Sequence, residues 1–162
     1  MIVEAPQSCV DLPGSPLCAA DVCRGVTRLL FRHDLPAMAE VPLEGGRRAD
    51  LMAIDGHGRV VIVEIKVSRA DLLGDGKWPD YLDHCDRFFW AVPAGFDLQP
   101  LDGPAFLPER TGLIVADRYD AAIVREARVV PLPAHVRRRA TLAFARRAAR
   151  RLAANGDPEL SL

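Results

Sequence analysis

The chain reads as a single α/β domain with a mixed central sheet. Its predicted order is helix, three strands, helix and strand, followed by a hairpin and an arginine-rich helix. Three observations predict this. Hydrophobic residues make up 49% of 162 residues, which suits one ordinary core. Apolar spacing changes from a helical period to alternation near Pro36. Residues 134–153 form a long alanine- and arginine-rich helical stretch, without a single acid up to Asn155.

Residues 1–14 contain Pro6, Pro13 and Gly14 without periodicity and read as a flexible leader. The domain is then expected over 15–155, with 156–162 as a tail. Ser15-Pro16 has the form of a helix start, serine as cap and proline at the first helical position. Leu17, Val22, Val26, Leu29 and Leu30 carry that helix through His33. Strands are predicted over 38–43, 49–54 and 59–67, the first interrupted by Pro42 and so suited to a sheet edge. Asp55-Gly56-His57-Gly58 joins the second and third as a hairpin. Ser68-x-x-Asp71 resembles a capping box for a short turn ending at Gly74, and Trp78-Pro79 opens another helix through Cys85. A buried strand follows over 87–92. Residues 93–110 are predicted as a long surface connection, 112–116 and 121–125 as a hairpin, and 134–153 as the last helix, stopped by Asn155-Gly156.

A net charge of −1 means that affinity for nucleic acid must come from a local patch. No run of about 18 apolar residues occurs, and the N-terminus lacks a secretory pattern, so a cytoplasmic protein is expected. Cys9, Cys18, Cys23 and Cys85 form no C-x-x-C pair and have no matched histidines. They are expected as free, mostly buried thiols rather than zinc ligands.

The chemistry concentrates in Glu64-Ile65-Lys66, which sits inside the most hydrophobic strand in the chain, Val60 to Val67. A carboxylate and an ammonium in such a strand are costly unless paired or functional. Glu64 and Lys66 share a face, because residues two apart in a strand point the same way. A three-residue hairpin loop, Gly56-His57-Gly58, sets Asp50 opposite Glu64, with Cβ atoms about 5 Å apart. It also sets Met52 opposite Ile62 and Arg48 opposite Lys66. Ala49, Leu51, Ala53, Val61, Val63 and Ile65 then form the apolar face. A four-residue loop would separate Asp50 from Glu64. Two facing carboxylates repel unless a cation lies between them. Mg²⁺ or Mn²⁺ suits such oxygen ligands, with the Ile65 backbone carbonyl as a third. Lys66 is placed to orient or deprotonate an attacking water and to offset charge on a phosphate. The competing reading is a surface ion-pair network in which Lys66 only neutralises the two acids.

Asp50 followed fourteen positions later by Glu-x-Lys, after one helix and before another, resembles the PD-(D/E)XK phosphodiesterase superfamily. That resemblance implies a restriction-endonuclease-like α-β-β-β-α-β core with catalytic Asp50, Glu64 and Lys66. The run Arg47-Arg48-Ala49-Asp50-Leu51-Met52, Val63-Glu64-Ile65-Lys66, Asp71, Asp75-x-Lys77-Trp78, Asp80-Tyr81 and Cys85-Asp86-Arg87 is similar to the MmcB-like DNA repair family. The likeness runs from about Val22 to Arg125. Lys77-Trp78-Pro79-Asp80-Tyr81 falls where some superfamily members carry Gln-x-x-x-Tyr, with lysine here in place of glutamine; this implies a catalytic role for Tyr81 and a DNA contact for Lys77. Where many members place a glutamate on the first helix, this chain has only Asp21. Glu40 is either its substitute or a solvated edge residue.

On a helical wheel Arg137, Arg139, Arg146, Arg147, Arg150 and Arg151 occupy one half of the last helix. Leu142, Ala145, Ala148, Ala149 and Leu152 occupy the other. The arginines read either as a ridge that tracks DNA phosphates or as a solvated face. Phe88, Phe89, Trp90 and Trp78 are expected in the core, with Trp78 kept open for stacking on an unpaired base. The function expected is a Mg²⁺- or Mn²⁺-dependent DNA endonuclease in repair, with DNA and other repair proteins as partners. Oligomeric state stays open, a homodimer included. Two rivals remain: a non-cutting DNA-binding module of the same fold, and a regulatory scaffold whose arginine helix binds an acidic protein.

Overall fold

The computed structural model describes residues 14–160; the expected leader and the last two residues of the tail therefore fall almost wholly outside the described residues. Helix α1 (Ala19–Arg32) starts three residues later than Ser15-Pro16 suggested. Its cap is Cys18, whose N–H donates to the Asp21 carboxylate at 3.1 Å. Asp21 is buried and also meets Arg118 at 3.6 Å, so two groups balance this acid in the first turn. Cys18 is disulfide-bonded, which corrects the expectation of four free thiols. Cys18 is half-buried at the cap, whereas the free thiol of Cys85 is buried in the core.

Six strands follow: β1 (Ala37–Pro42), β2 (Arg48–Ile54), β3 (Val60–Ile65), β4 (Arg87–Pro93), β5 (Gly112–Ala116) and β6 (Ala121–Arg125). They form one sheet in sequence order, antiparallel at β1–β2, β2–β3 and β5–β6 and parallel at β3–β4 and β4–β5. The mixed sheet and the α-β-β-β-α-β order are as the sequence predicted. Pro42 lies on the edge strand, where a missing donor is tolerated. The hairpin has the three-residue loop. Asp55 N–H donates to the Arg59 carbonyl at 3.1 Å, and Gly58 takes φ +77°, a left-handed position that favours glycine. Leu51–Val63, Met52–Ile62 and Ala53–Val61 are accordingly cross-strand pairs.

Both faces of the sheet are buried. Val22, Val26, Leu29 and Leu30 of α1 cover Leu51, Ala53, Val61, Val63 and Ile65 on one side. Gly25 lets α1 lie against the turn between β5 and β6, because a Cβ there would lie 2.2 Å from the Asp117 carbonyl oxygen. The opposite side was expected to be polar and is instead a second core of Met52, Ile62, Phe88, Trp90 and Leu113. Ala49 joins this second core rather than the face of Leu51. Glu40 has φ +52°, and the apolar residues of β1 and β2 exchange faces between the pairs Ala39–Leu51 and Val41–Ala49. The connection over 93–110 is also more than surface, since its 3-10 turns bury Leu101 and Phe106.

Helix α2 (Arg69–Gly74) is capped as expected, the Ser68 hydroxyl accepting the Asp71 N–H at 3.1 Å. The predicted helix from Trp78 is a 3-10 turn over Trp78–His84. Helix α3 (Ala134–Gly156) lies on the second core through Val136, Ala140, Phe144 and Ala148. Leu142 and Leu152, expected to face inward, are 60% and 75% exposed. What orients the start of α3 is Asp86, whose carboxylate accepts N–H groups of Val60 and Leu132 at 2.8 Å each and pairs with Arg137. Burial works to raise the Asp86 pKa, but the Arg137 guanidinium and the Leu132 and Val60 N–H groups outweigh it. Its carboxyl sits below the ordinary range. The stabilisation is therefore complete above the unfolded aspartate pKa of about 3.9 and is lost as pH falls through the lower folded value.

Asp86→Ala is expected to cost about 3–5 kcal/mol in urea unfolding at neutral pH, because it strands a guanidinium and two buried N–H groups. A loss under about 1 kcal/mol would mean that other contacts hold α3.

Candidate active site

The site forms where β3 ends. Every residue of β3 is buried, Glu64 included at 6% exposure, and Lys66 directly after it is equally buried. The β2–β3 pairs stop at Leu51–Val63. Beyond them the Asp50 carboxylate takes over as acceptor for the Ile65 N–H at 2.7 Å. The expected pairs Asp50–Glu64 and Arg48–Lys66 are therefore not ladder pairs. Asp50 nevertheless lies close enough to Glu64 to raise its pKa. Arg48 turns to Glu40 at 3.7 Å, leaving Lys66 to other acids.

Those acids come from the α2 segment. Lys66 Nζ lies 2.8 Å from Asp75, 3.5 Å from Glu64 and 3.9 Å from Asp71. Burial by itself would lower the Lys66 pKa, but Asp75, Glu64 and Asp71 outweigh it and hold it above the ordinary value. Lys66 thus keeps its charge, which suits offsetting a phosphate and does not suit abstracting a proton. Sequence reasoning missed Asp75 as its principal counter-ion; the Gly74-Asp75-Gly76 turn was the only local signal.

Tyr81 reaches the same point from the 3-10 turn. Its hydroxyl lies 3.0 Å from the Arg48 carbonyl and 3.4 Å from Glu64 Oε1. Burial, and then the negative charges of Glu64 and Asp50, keep the phenol protonated far above neutrality. Glu64 Oε1 thus has Tyr81 and Lys66, whereas Oε2 is buried without a hydrogen-bond partner. Burial first, and the nearby Asp50 second, push the Glu64 carboxyl up to about 7 despite Lys66. Asp50 is also raised, chiefly by burial, with the Ile65 N–H and Lys66 pulling it back. The ion-pair network around Lys66 is therefore present, but Glu64 and Lys66 lie buried in it and not on the surface.

Other sequence candidates fall elsewhere. Lys77 is exposed at the head of the 3-10 turn. Trp78 is buried among Phe88, Trp90 and Phe106, so it is core and not a stacking platform. Asp21 caps α1, and Glu40 is an exposed edge residue beside Arg48. The arginines divide. Arg137 is spent on Asp86, Arg139 meets Glu44 at 3.1 Å, and Arg151 donates to the Glu40 carbonyl at 3.2 Å. Arg146 and Arg150 project from α3, and Arg147 is half-buried beside them.

The family model described as DNA repair protein MmcB-like matches residues 10–159. Among solved structures, the SPO1766 protein of unknown function from Silicibacter pomeroyi is 40% identical, with a TM-score of 0.77 over 93% of this chain and 96% of that one. A repair endonuclease from Pyrococcus abyssi is 19% identical, with a TM-score of 0.37 over 59% of this chain and 46% of that one. That second likeness is too slight to carry an argument. No curated protein matches the chain. No helix among the described residues is long and apolar enough to cross a membrane.

An acid whose folded pKa is raised favours the protonated fold. Stability should therefore fall as pH rises from the unfolded value of 4.5 through about 7. In Glu64→Gln this decline is expected to shrink, by up to about 3 kcal/mol between pH 5 and pH 8 in cation-free urea unfolding. Parallel wild-type and variant profiles would show that Glu64 titrates normally.

Proposed function

The chain belongs to the MmcB-like DNA repair family, and from that premise we propose that it is a divalent-cation-dependent DNA phosphodiesterase of the endonuclease type. The observation that carries this reading is Glu64: a carboxylate buried at a strand end, with one oxygen unpartnered, between Asp50 and the ammonium of Lys66. A group that must either protonate or find positive charge is suited to a metal. Among the described residues no three His, Cys, Asp or Glu side chains are grouped to hold one ion. The ligands would be Asp50, Glu64 and the Ile65 backbone carbonyl, with water filling the remaining positions as Mg²⁺ and Mn²⁺ allow. Bound there, the cation supplies charge neutralisation at the attacked phosphodiester and lowers the pKa of water.

The chain's own groups do the rest. Lys66, held by Asp75, presents a fixed positive charge to the phosphate. The Tyr81 hydroxyl, between the Arg48 carbonyl at 3.0 Å and Glu64 Oε1 at 3.4 Å, can donate its one proton to Oε1, which would leave Oε2 for the ion. Arg146, Arg147 and Arg150 supply phosphate contacts away from the reacting bond. The rival reading, a non-cutting DNA-binding module, has the same basic helix but needs no raised carboxyl or Lys66–Asp75 pair.

At pH 6, Mn²⁺ binding followed by calorimetry in buffers of different ionisation enthalpy should release close to one proton, because Glu64 is then mostly protonated. Glu64→Gln should abolish that release; binding without proton release in the wild type would remove Glu64 from the ligand set.

Lys66→Met is expected to slow Mg²⁺-dependent cleavage of a DNA panel by on the order of 10²–10³-fold, while binding in EDTA persists. Cleavage at the wild-type rate would leave Lys66 a structural role only. Failure of the wild type to cut duplex, single strand or junction with either metal would favour the non-cutting module.

A further inference from the structure

Between α3 and the β1–β2 edge lies a cleft of about 740 Å³, within the ~300–1,000 Å³ range that encloses small organic ligands. Val41, Leu43, Met52 and Phe144 give it an apolar floor. Arg147 and Arg151, both half-buried, enter it from the helix, while Arg146 and Arg150 stand exposed at the rim. Among the described residues Glu44 is the only acid in its lining, and Arg139 already pairs with it at 3.1 Å. We infer that this cleft seats an unpaired nucleotide of a DNA strand, base on the apolar floor and phosphates on the arginines. The inference rests on the DNA-binding part of the function proposed above and assigns its substrate class.

The chemistry of the lining favours this occupant. A duplex presents phosphates and groove edges while its base faces stay stacked, so an apolar recess gains little from it. An unpaired base exposes both faces, and covering one against aliphatic and aromatic side chains is favourable for any base. Guanidinium groups above such a floor match the anionic backbone. The position fits as well. Met52 pairs with Ile62, two residues before Glu64, so the cleft opens on the sheet face that carries the carboxylate. Arg151 donates to the Glu40 carbonyl, Glu40 pairs with Arg48, and the Arg48 carbonyl receives the Tyr81 hydroxyl. This row of contacts links the cleft to the site.

Ala143 lines the cleft and is exposed, so Ala143→Trp narrows the recess without altering charge or core. Arg147→Gln provides a second variant that removes one cleft cation. The measurement is fluorescence anisotropy in EDTA, with labelled oligothymidine and a fully paired duplex of equal length; urea midpoints verify that both variants fold. Ala143→Trp is expected to weaken single-strand binding about tenfold and duplex binding less than about twofold; Arg147→Gln, which also removes a phosphate contact, is expected to weaken both, the single strand more. In Ala143→Trp, equal losses on both DNAs or unchanged single-strand affinity would overturn the inference, as would no single-strand binding by the wild type or displacement by polyglutamate as effective as by oligothymidine. Because binding is read without metal, failure of cleavage at Glu64 leaves this result standing, and failure here leaves the Glu64 site standing.

Discussion

Strand β3 is covered on both faces, yet it delivers Glu64 and Lys66 at its end, and the surrounding structure answers the cost of burying them. An unpaired charge in such an interior costs several kcal/mol, so neighbouring segments must supply partners. Asp75 comes from the turn after α2, Tyr81 from the 3-10 turn, and Asp50 from the hairpin partner β2. Lys66 is over-supplied with carboxylates and keeps its proton. Glu64 is under-supplied with donors and tends to gain one. That asymmetry distinguishes the site from an ordinary buried ion pair, in which both members would be satisfied, and it is the asymmetry on which the proposed function rests.

A second buried charge shapes the opposite end of the same face. Asp86 binds main-chain N–H groups from β3 and from the segment before α3, and pairs with Arg137. With α3 held near its start, Phe144 and Ala148 rest on the second core while later turns run past the β1 edge. The cleft arises from that geometry, since a helix fixed at one end leaves a recess where it passes a strand edge. Its arginines are drawn from the helix that Asp86 orients. The two buried acids are thus shifted in opposite directions, Asp86 lowered by its donors and Glu64 raised by burial.

The edge strands show how local backbone geometry enters function. At Glu40, φ is +52°, a sparsely populated conformation for a non-glycine residue. The exchange of faces there lets Ala49 and Val41 pack with Met52, while Asp50 meets the end of β3 instead of a ladder partner. The edge strand also offers its Glu40 carbonyl to Arg151, so the strained position lies between the cleft and the carboxylates.

Much of this was legible in the chain. Alternation and the Gly56-His57-Gly58 loop defined the hairpin register, which brought Asp50 beside Glu64, and Ser68-x-x-Asp71 marked the cap of α2. These features depend on residues a few positions apart, where sterics and hydrogen bonding act within the segment itself. The identity of the Lys66 counter-ion, the burial of Trp78, the disulfide at Cys18 and the outward turn of Leu142 and Leu152 were not legible. Each depends on which distant segment arrives to cover a given face. A helical wheel separates arginines from leucines but does not say which half meets the sheet. That was decided by Asp86 capturing Arg137 and by the fit of Phe144 and small alanines against the second core. The sequence by itself determined which groups share a strand face; the tertiary structure decided their burial, and burial sets whether a carboxylate is a solvated charge or a proton acceptor near neutrality.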